Sequence, residues 1–195
     1  IVVAIIGILA AIAIPNFLEA QTRSKVARAK ADLRSVATAL EMYHVDNSDY
    51  PSMIEPGFPG GVPPLAGSDL KWWYIPNVLS TPVAYLANAD LRCPFGGNWD
   101  KEIFFPDEIW RRYGYENIQD LISKSSAFPI LSTRYPPEAL AWSGGWRLQC
   151  VGPDTLWNPS LLYDPTNGTI SAGDMIRTQK NPEGNIRPDL PRPGA

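Results

Sequence analysis

The stretch Ile1-Val-Val-Ala-Ile-Ile-Gly-Ile-Leu-Ala-Ala-Ile-Ala-Ile14, followed by Pro15-Asn-Phe-Leu-Glu19, decides how the rest of the chain is read. Its first fourteen residues carry no charged or polar side chain. An amphipathic helix alternates its faces; this run is apolar all round and must be buried on every side. A bilayer, a protein core and the centre of an assembly all offer such burial. At about 1.5 Å per residue the run makes roughly 21 Å of helix, short of the roughly 30 Å hydrocarbon core. The sequence opens in mid-pattern and without Met, so a short apolar extension before Ile1 is expected, which would let the run span. A cleaved signal peptide needs a basic n-region and a small-residue cleavage site ahead of a mature domain. This run passes straight into a helical pattern instead, and we read it as a retained membrane or assembly helix.

Working outward, a second pattern runs from Phe17 to about Asn47. Val26, Ala29, Leu33, Val36, Leu40 and Tyr43 recur at steps of three and four residues, the stripe of an amphipathic helix. Arg23, Lys25, Arg28, Lys30, Arg34 and Glu41 mostly lie off that stripe. The two halves make one rod, its upper half packed on a head and its lower half buried elsewhere. Three readings fit the five basic residues: a solvated face, a contact with acidic groups of neighbouring subunits, and a contact with lipid headgroups. Asn47, Ser48 and Pro51 stop the rod. Gly7 and Pro15 weaken the apolar half, at about 1 and 3 kcal/mol relative to Ala. Either a mild kink at Pro15 or a loosened stretch between the two is expected.

Ala4-Ile-Ile-Gly-Ile-Leu-Ala-Ala-Ile-Ala-Ile-Pro-Asn-Phe17 resembles the N-terminal helix of type IV pilins and type II secretion pseudopilins. In that superfamily the mature chain starts with an N-methylated aromatic residue and a glutamate comes soon after. No residue here takes either role, and the resemblance implies a missing segment of about one to two helical turns. Met42-Tyr-His-Val-Asp-Asn-Ser-Asp-Tyr-Pro51 looks closest to the helix end of major pseudopilins. The resemblance implies an α+β fold: a long N-terminal helix packed on a small antiparallel β-sheet head with extensive loops. Residues 1–49 form the assembly or membrane helix and residues 50–195 the β-rich head with a C-terminal loop region. It also implies assembly through Ile1, Val3, Ile5, Ile6, Gly7, Ile8, Leu9, Ile12, Pro15 and Phe17.

The chain has 195 residues and a formal charge of −3. The roughly 145 residues after the helix suffice for one domain with its own core. Mild acidity argues against nucleic acid as a partner, since phosphate needs a basic footprint. Of the 20 prolines, 19 come after Asp49, and with 15 glycines they predict a loop-rich head with short strands. Residues 52–76 read as a long irregular loop. Trp72-Trp73-Tyr74 reads as core or interface packing, with a ligand-binding stack as the alternative. Asp107–Tyr113 and Glu116–Lys124 read as short helices. Ala139–Trp142 and Trp146–Val151 read as strands joined by a turn at Ser143-Gly-Gly145.

The two cysteines, Cys93 and Cys150, are expected to pair if the head lies outside the cytoplasm; otherwise they are two separate buried thiols. With one histidine, His44, a zinc site of the usual Cys/His kind is excluded. The tail pattern around Gly152-Pro-Asp154 and Gly173-Asp174 resembles the C-terminal loop of major pseudopilins, which commonly holds calcium. Asp154, Asp164, Asn167 and Asp174 are the candidate ligands for Ca²⁺, and plain turn-forming Asp and Asn the other reading. This loop is longer than the family's and contains Trp157 and Pro159. The segment after Asn181 reads as an extended surface tail.

No Gly-rich phosphate loop, serine elbow or metal-histidine motif is present, and no enzyme is expected. The resemblance implies a structural subunit of a helical type IV pilus-like filament, or alternatively the major pseudopilin of a type II secretion system. Its partners would be identical subunits, the bacterial inner membrane before assembly, and the pilus or secretion machinery. Its destination would be an extracellular filament or a periplasmic pseudopilus.

Overall fold

The computed structural model describes residues 1–52, 75–96, 112–123, 138–156, 161–167 and 171–182. One helix, α1, runs from Val2 to Asn47, 46 residues or about 69 Å. It passes through Gly7 and Pro15 without a break. Pro15 has no N–H to donate to the carbonyl four residues back, so the helix loses one bond there and continues to Asn47. Ser48 ends it in the left-handed region, at φ 58°, and donates its N–H to the His44 carbonyl at 2.8 Å.

The 3.6-residue stripe is the face that packs on the head. Val26, Ala29, Leu33, Val36 and Leu40 are buried, and Tyr43 packs half-buried against the same core. Ala37 and Ala39 widen the stripe. No α1 residue before Val26 is buried.

The stripe faces a three-stranded antiparallel sheet of β1 (Gly114–Asn117), β2 (Trp146–Cys150) and β3 (Met175–Thr178), in that order. Tyr115 stands opposite Leu148, and Leu148 opposite Arg177. The next pair along, Glu116 and Arg147, forms a buried ion pair at 2.9 Å. Polar side chains are therefore buried on a strand that alternation alone would have left facing water.

Two short elements differ from expectation. Ala139–Trp142 is a helical turn, not a strand, and Ser143-Gly-Gly145 links it to β2 instead of closing a hairpin. The helix expected over Glu116–Lys124 begins only at Ile118 and ends at Ser123, because Glu116 and Asn117 belong to β1. Of the helix expected over Asp107–Tyr113, residues 107–111 lie outside the described residues; Arg112 forms an isolated bridge with Arg92 and leads into β1. The Trp72-Trp73-Tyr74 cluster, most of the Pro/Gly-rich loop and the tail from residue 183 also lie outside the described residues.

Cys93 and Cys150 form a disulfide, with Cα atoms 5.7 Å apart. It fastens the segment 75–96 to the end of β2. That segment carries a 3-10 turn at Asn77–Leu79 whose Leu79 is fully buried.

Candidate assembly surface

The lower half of α1 is apolar and bare. Ile1, Val2, Val3, Ile5, Ile6, Ile8, Leu9, Ile12, Ile14, Phe17 and Leu18 are all exposed, each by more than half. At 100° per residue they point to every side of the helix, so no single neighbour within the subunit could cover them. It is the one helix among the described residues long and apolar enough to cross a membrane, and its apolar window is buried nowhere. Nothing lies within 4 Å of where a Cβ would stand on Gly7, so packing within the subunit does not call for glycine there. Proteins do not leave an apolar surface of this extent in water, and such a patch marks a membrane or an interface.

The upper half holds the rod to the head by polar ties as well as by its stripe. Tyr113 Oη donates to Asp32 Oδ2 at 2.7 Å and Trp146 Nε1 to Glu41 Oε1 at 2.8 Å. Tyr50 Oη lies 3.1 and 3.2 Å from the two Glu41 oxygens, with the His44 ring stacked on its own at 4.4 Å. Tyr85 Oη donates to Asp46 Oδ2 at 2.7 Å. Tyr115 Oη and Asn117 Nδ2 both donate to the Pro51 carbonyl, at 2.8 and 3.1 Å. Burial first, and then the carboxylates they touch, push the Tyr50 and Tyr113 phenols well above their ordinary range. Burial likewise raises Tyr115, and the bond to Asp46 raises Tyr85.

Where the apolar half meets the head, basic residues surround the helix. Arg23 pairs with Glu19 one turn back, and Arg28 Nε lies 3.8 Å from Asp32. Lys25 Nζ lies 5.7 Å from the centre of the Phe95 ring and Lys30 Nζ 5.8 Å from that of Tyr163.

The tail residues that resembled a calcium loop are partly brought together, by other bonds. The Gly152 N–H donates to Asp174 Oδ1 at 3.1 Å, and Gln149 Nε2 donates to Asp174 Oδ2. A Cβ on Gly152 would stand 2.1 Å from the Gly173 carbonyl oxygen, and one on Gly173 2.0 Å from that of Leu162. Both positions need glycine because backbone meets backbone there. Asp154 Oδ1 accepts from the Leu156 N–H, and Asp164 Oδ1 from the Thr166 N–H and hydroxyl, in the local turns these residues favour. Asn167 ends a 3-10 turn over Pro165–Asn167. Among the described residues no three His, Cys, Asp or Glu gather as metal ligands. Asp174 is fully buried, and each of its carboxylate oxygens accepts a hydrogen bond inside the fold.

The family described as type II secretion system (T2SS), protein G matches residues 16–57, which take in α1 from just past Pro15 to its end and the first residues beyond it. Three relatives match over short stretches. The type II secretion system core protein G of Pseudomonas aeruginosa is 46% identical over 52 residues, 27% of this chain and 37% of its own. The type IV major pilin protein PilA of Myxococcus xanthus is 54% identical over 50 residues, 26% of this chain and 23% of its own. The core protein G of Escherichia coli is 32% identical over 89 residues, 42% of this chain and 59% of its own. The chain thus covers less than two thirds of each of these relatives. No solved structure matches.

Proposed function

We propose that this chain, whose amino-terminal helix is similar to those of type II secretion core protein G and a type IV major pilin, is a structural subunit of a helical filament. The observation that carries the reading is the bare apolar half of α1 projecting from a folded head. In the membrane that half is covered by lipid and anchors the subunit. In the filament it is covered by the same half of other copies. Apolar burial contributes about 25 cal/mol per Å², and each copy carries eleven large apolar side chains in this stretch. The assembly core comprises Ile1, Val3, Ile5, Ile6, Gly7, Ile8, Leu9, Ile12, Pro15 and Phe17. Contacts between copies are heterologous and do not close, which gives a filament instead of a ring. Residues 1–49 serve assembly, and residues 50–195 form the outer surface. No step in this role needs a catalytic group.

Two filaments compete. An extracellular pilus is the first reading. A periplasmic pseudopilus of a type II secretion system is the second, favoured by the protein G family match over residues 16–57. Shearing cells, pelleting surface fibres and identifying their subunit by mass spectrometry separates them. This chain as the main component of long fibres supports the pilus. Retention in the envelope, with exported proteins failing to leave cells that lack it, supports the pseudopilus.

A further inference from the structure

We propose that Arg23, Lys25, Arg28 and Lys30 form a collar that binds anionic phospholipid headgroups in the extracytoplasmic leaflet while the subunit sits in the membrane. The proposal rests on the membrane stage of the function proposed above.

Glu19 is the first charged side chain after the apolar run, so the hydrocarbon on this side ends no later than Leu18. The head begins at Val26, the first buried residue of α1. Between the hydrocarbon edge and the lower rim of the head lies about 10 Å of bare helix, comparable to a headgroup layer. Arg23 and Lys25 stand in that gap, and Arg28 and Lys30 just above it. Arg23 turns back toward the membrane, onto Glu19, while Arg28 Nε lies 3.8 Å from Asp32 one turn up.

Their azimuths separate a lipid surface from any single lateral partner. At 100° per residue, Arg28 and Lys25 stand roughly 140° and 200° around the helix from Arg23, and Lys30 about 20° from it on the other side. Cations on opposite sides of a rod cannot all meet one neighbouring subunit. A plane perpendicular to the rod meets them all. Lys25 and Lys30 are steadied at the rim by Phe95 and Tyr163, on two sides of the helix. From Glu19 to Arg34 there are five basic and two acidic residues, leaving three net positive charges.

Orientation sharpens the point. The Cys93–Cys150 disulfide suits a head outside the cytoplasm, where such bonds persist. Basic residues flanking a span favour the cytoplasmic side, so this collar stands against the topological preference. Its charge is therefore explained by what it binds on the outer side.

The test uses the full chain reconstituted into phosphatidylcholine vesicles carrying a trace of spin-labelled phosphatidylglycerol or phosphatidylcholine. The fraction of each label held at the protein is read by electron paramagnetic resonance. The expected preference for phosphatidylglycerol is about fivefold at low salt, the effect of one cation near an anionic surface. It should fall toward one in 1 M salt, where charges are screened within about 3 Å. The variant R23Q/K25Q/R28Q/K30Q should lose it and R23K/R28K should keep it, with the circular dichroism of the folded head unchanged in both. Equal association of the two lipids, or an unchanged preference in the glutamine variant, overturns the proposal. Loss of subunit cross-links in filaments of that variant, without any lipid preference in the parent, assigns the collar to a neighbouring subunit and overturns it too. A chain that does not float with the vesicles overturns the membrane stage itself.

Discussion

Trp146 Nε1 donates to Glu41 Oε1 at 2.8 Å, joining the first residue of β2 to the helix across 105 positions of sequence. Tyr50 adds its hydroxyl to the same carboxylate, and Gln179 Nε2 donates to that hydroxyl. One acid therefore fixes the angle at which the rod leaves the head. A hydrogen bond to a charged group contributes about 1.5–3 kcal/mol, and removing it leaves the donors unsatisfied. Glu41→Ala should lower the stability of the head by about 3 kcal/mol and Glu41→Gln, which keeps one acceptor, by about 1 kcal/mol. Urea unfolding followed by tryptophan fluorescence, on the full chain in detergent, measures both. An alanine variant as stable as the parent would show that the carboxylate does not fix the rod.

The buried phenols give the head an alkaline limit. Tyr50, Tyr113 and Tyr115 all have their ionisation raised above the ordinary 10.0, through burial first and nearby carboxylates second. Below pH 10 both folded and unfolded chains keep these protons, and stability does not depend on them. Above it the unfolded chain loses protons that the folded chain keeps, so stability falls as pH rises further. Unfolding at alkaline pH should therefore begin above about pH 10. Of the eight tyrosines, the share of the 295 nm tyrosinate rise that belongs to these three should come together with the loss of circular dichroism. Absorbance that completes its rise near pH 10 in a still-folded head would contradict the burial.

Cys93 and Cys150 are 57 residues apart, and a link of that span stabilises by about 4 kcal/mol through the entropy it removes from the unfolded chain. Cys93→Ser/Cys150→Ser should lower the denaturation midpoint of the head accordingly, and a reducing agent should do the same to the parent only. A double variant as stable as the oxidised parent would show that the segment 75–96 is held by packing alone.

Asp174 offers a discriminating case in the tail. Its carboxylate is fully buried and accepts from Gly152 and Gln149, so its part is to join the loop at 152 to the strand at 174. Asp174→Ala should cost about 1–3 kcal/mol in EDTA and equally in calcium. A cost confined to calcium-containing buffer would make Asp174 a calcium ligand.

What could be read before the structure divides along physical lines. The stripe from Val26 to Tyr43 repeats often enough for its period to name both helix and buried face. The apolar run before it names its own need for burial. Ala139–Trp142 is only four residues long, and an apolar run so short has no period to tell strand from helix. β1 hid for another reason: Gly114-Tyr-Glu-Asn117 is buried on both faces, with Glu116 paired to Arg147 where alternation would turn a polar residue to water. The collar around residues 23–30 was legible as charge, and its distribution about the helix comes from counting. Its distance from the head did not, because Val26 as the first buried residue is a tertiary fact. The tie between Glu41, Trp146 and Tyr50 joins residues with no local relation, and nothing in the order of amino acids announces it.

The claim that the bare lower half of α1 assembles copies is tested most directly by a charge within it. Ile6 is 59% exposed in the subunit and touches no part of the head's buried core. Ile6→Asp should leave the thermal melt of the head unchanged, while an acid at the centre of an apolar layer costs about 3 kcal/mol per subunit. Sheared fractions from cells carrying Ile6→Asp should contain no sedimenting filaments, with the subunit still present in the envelope. Filaments at the parent's yield would contradict assembly through this helix.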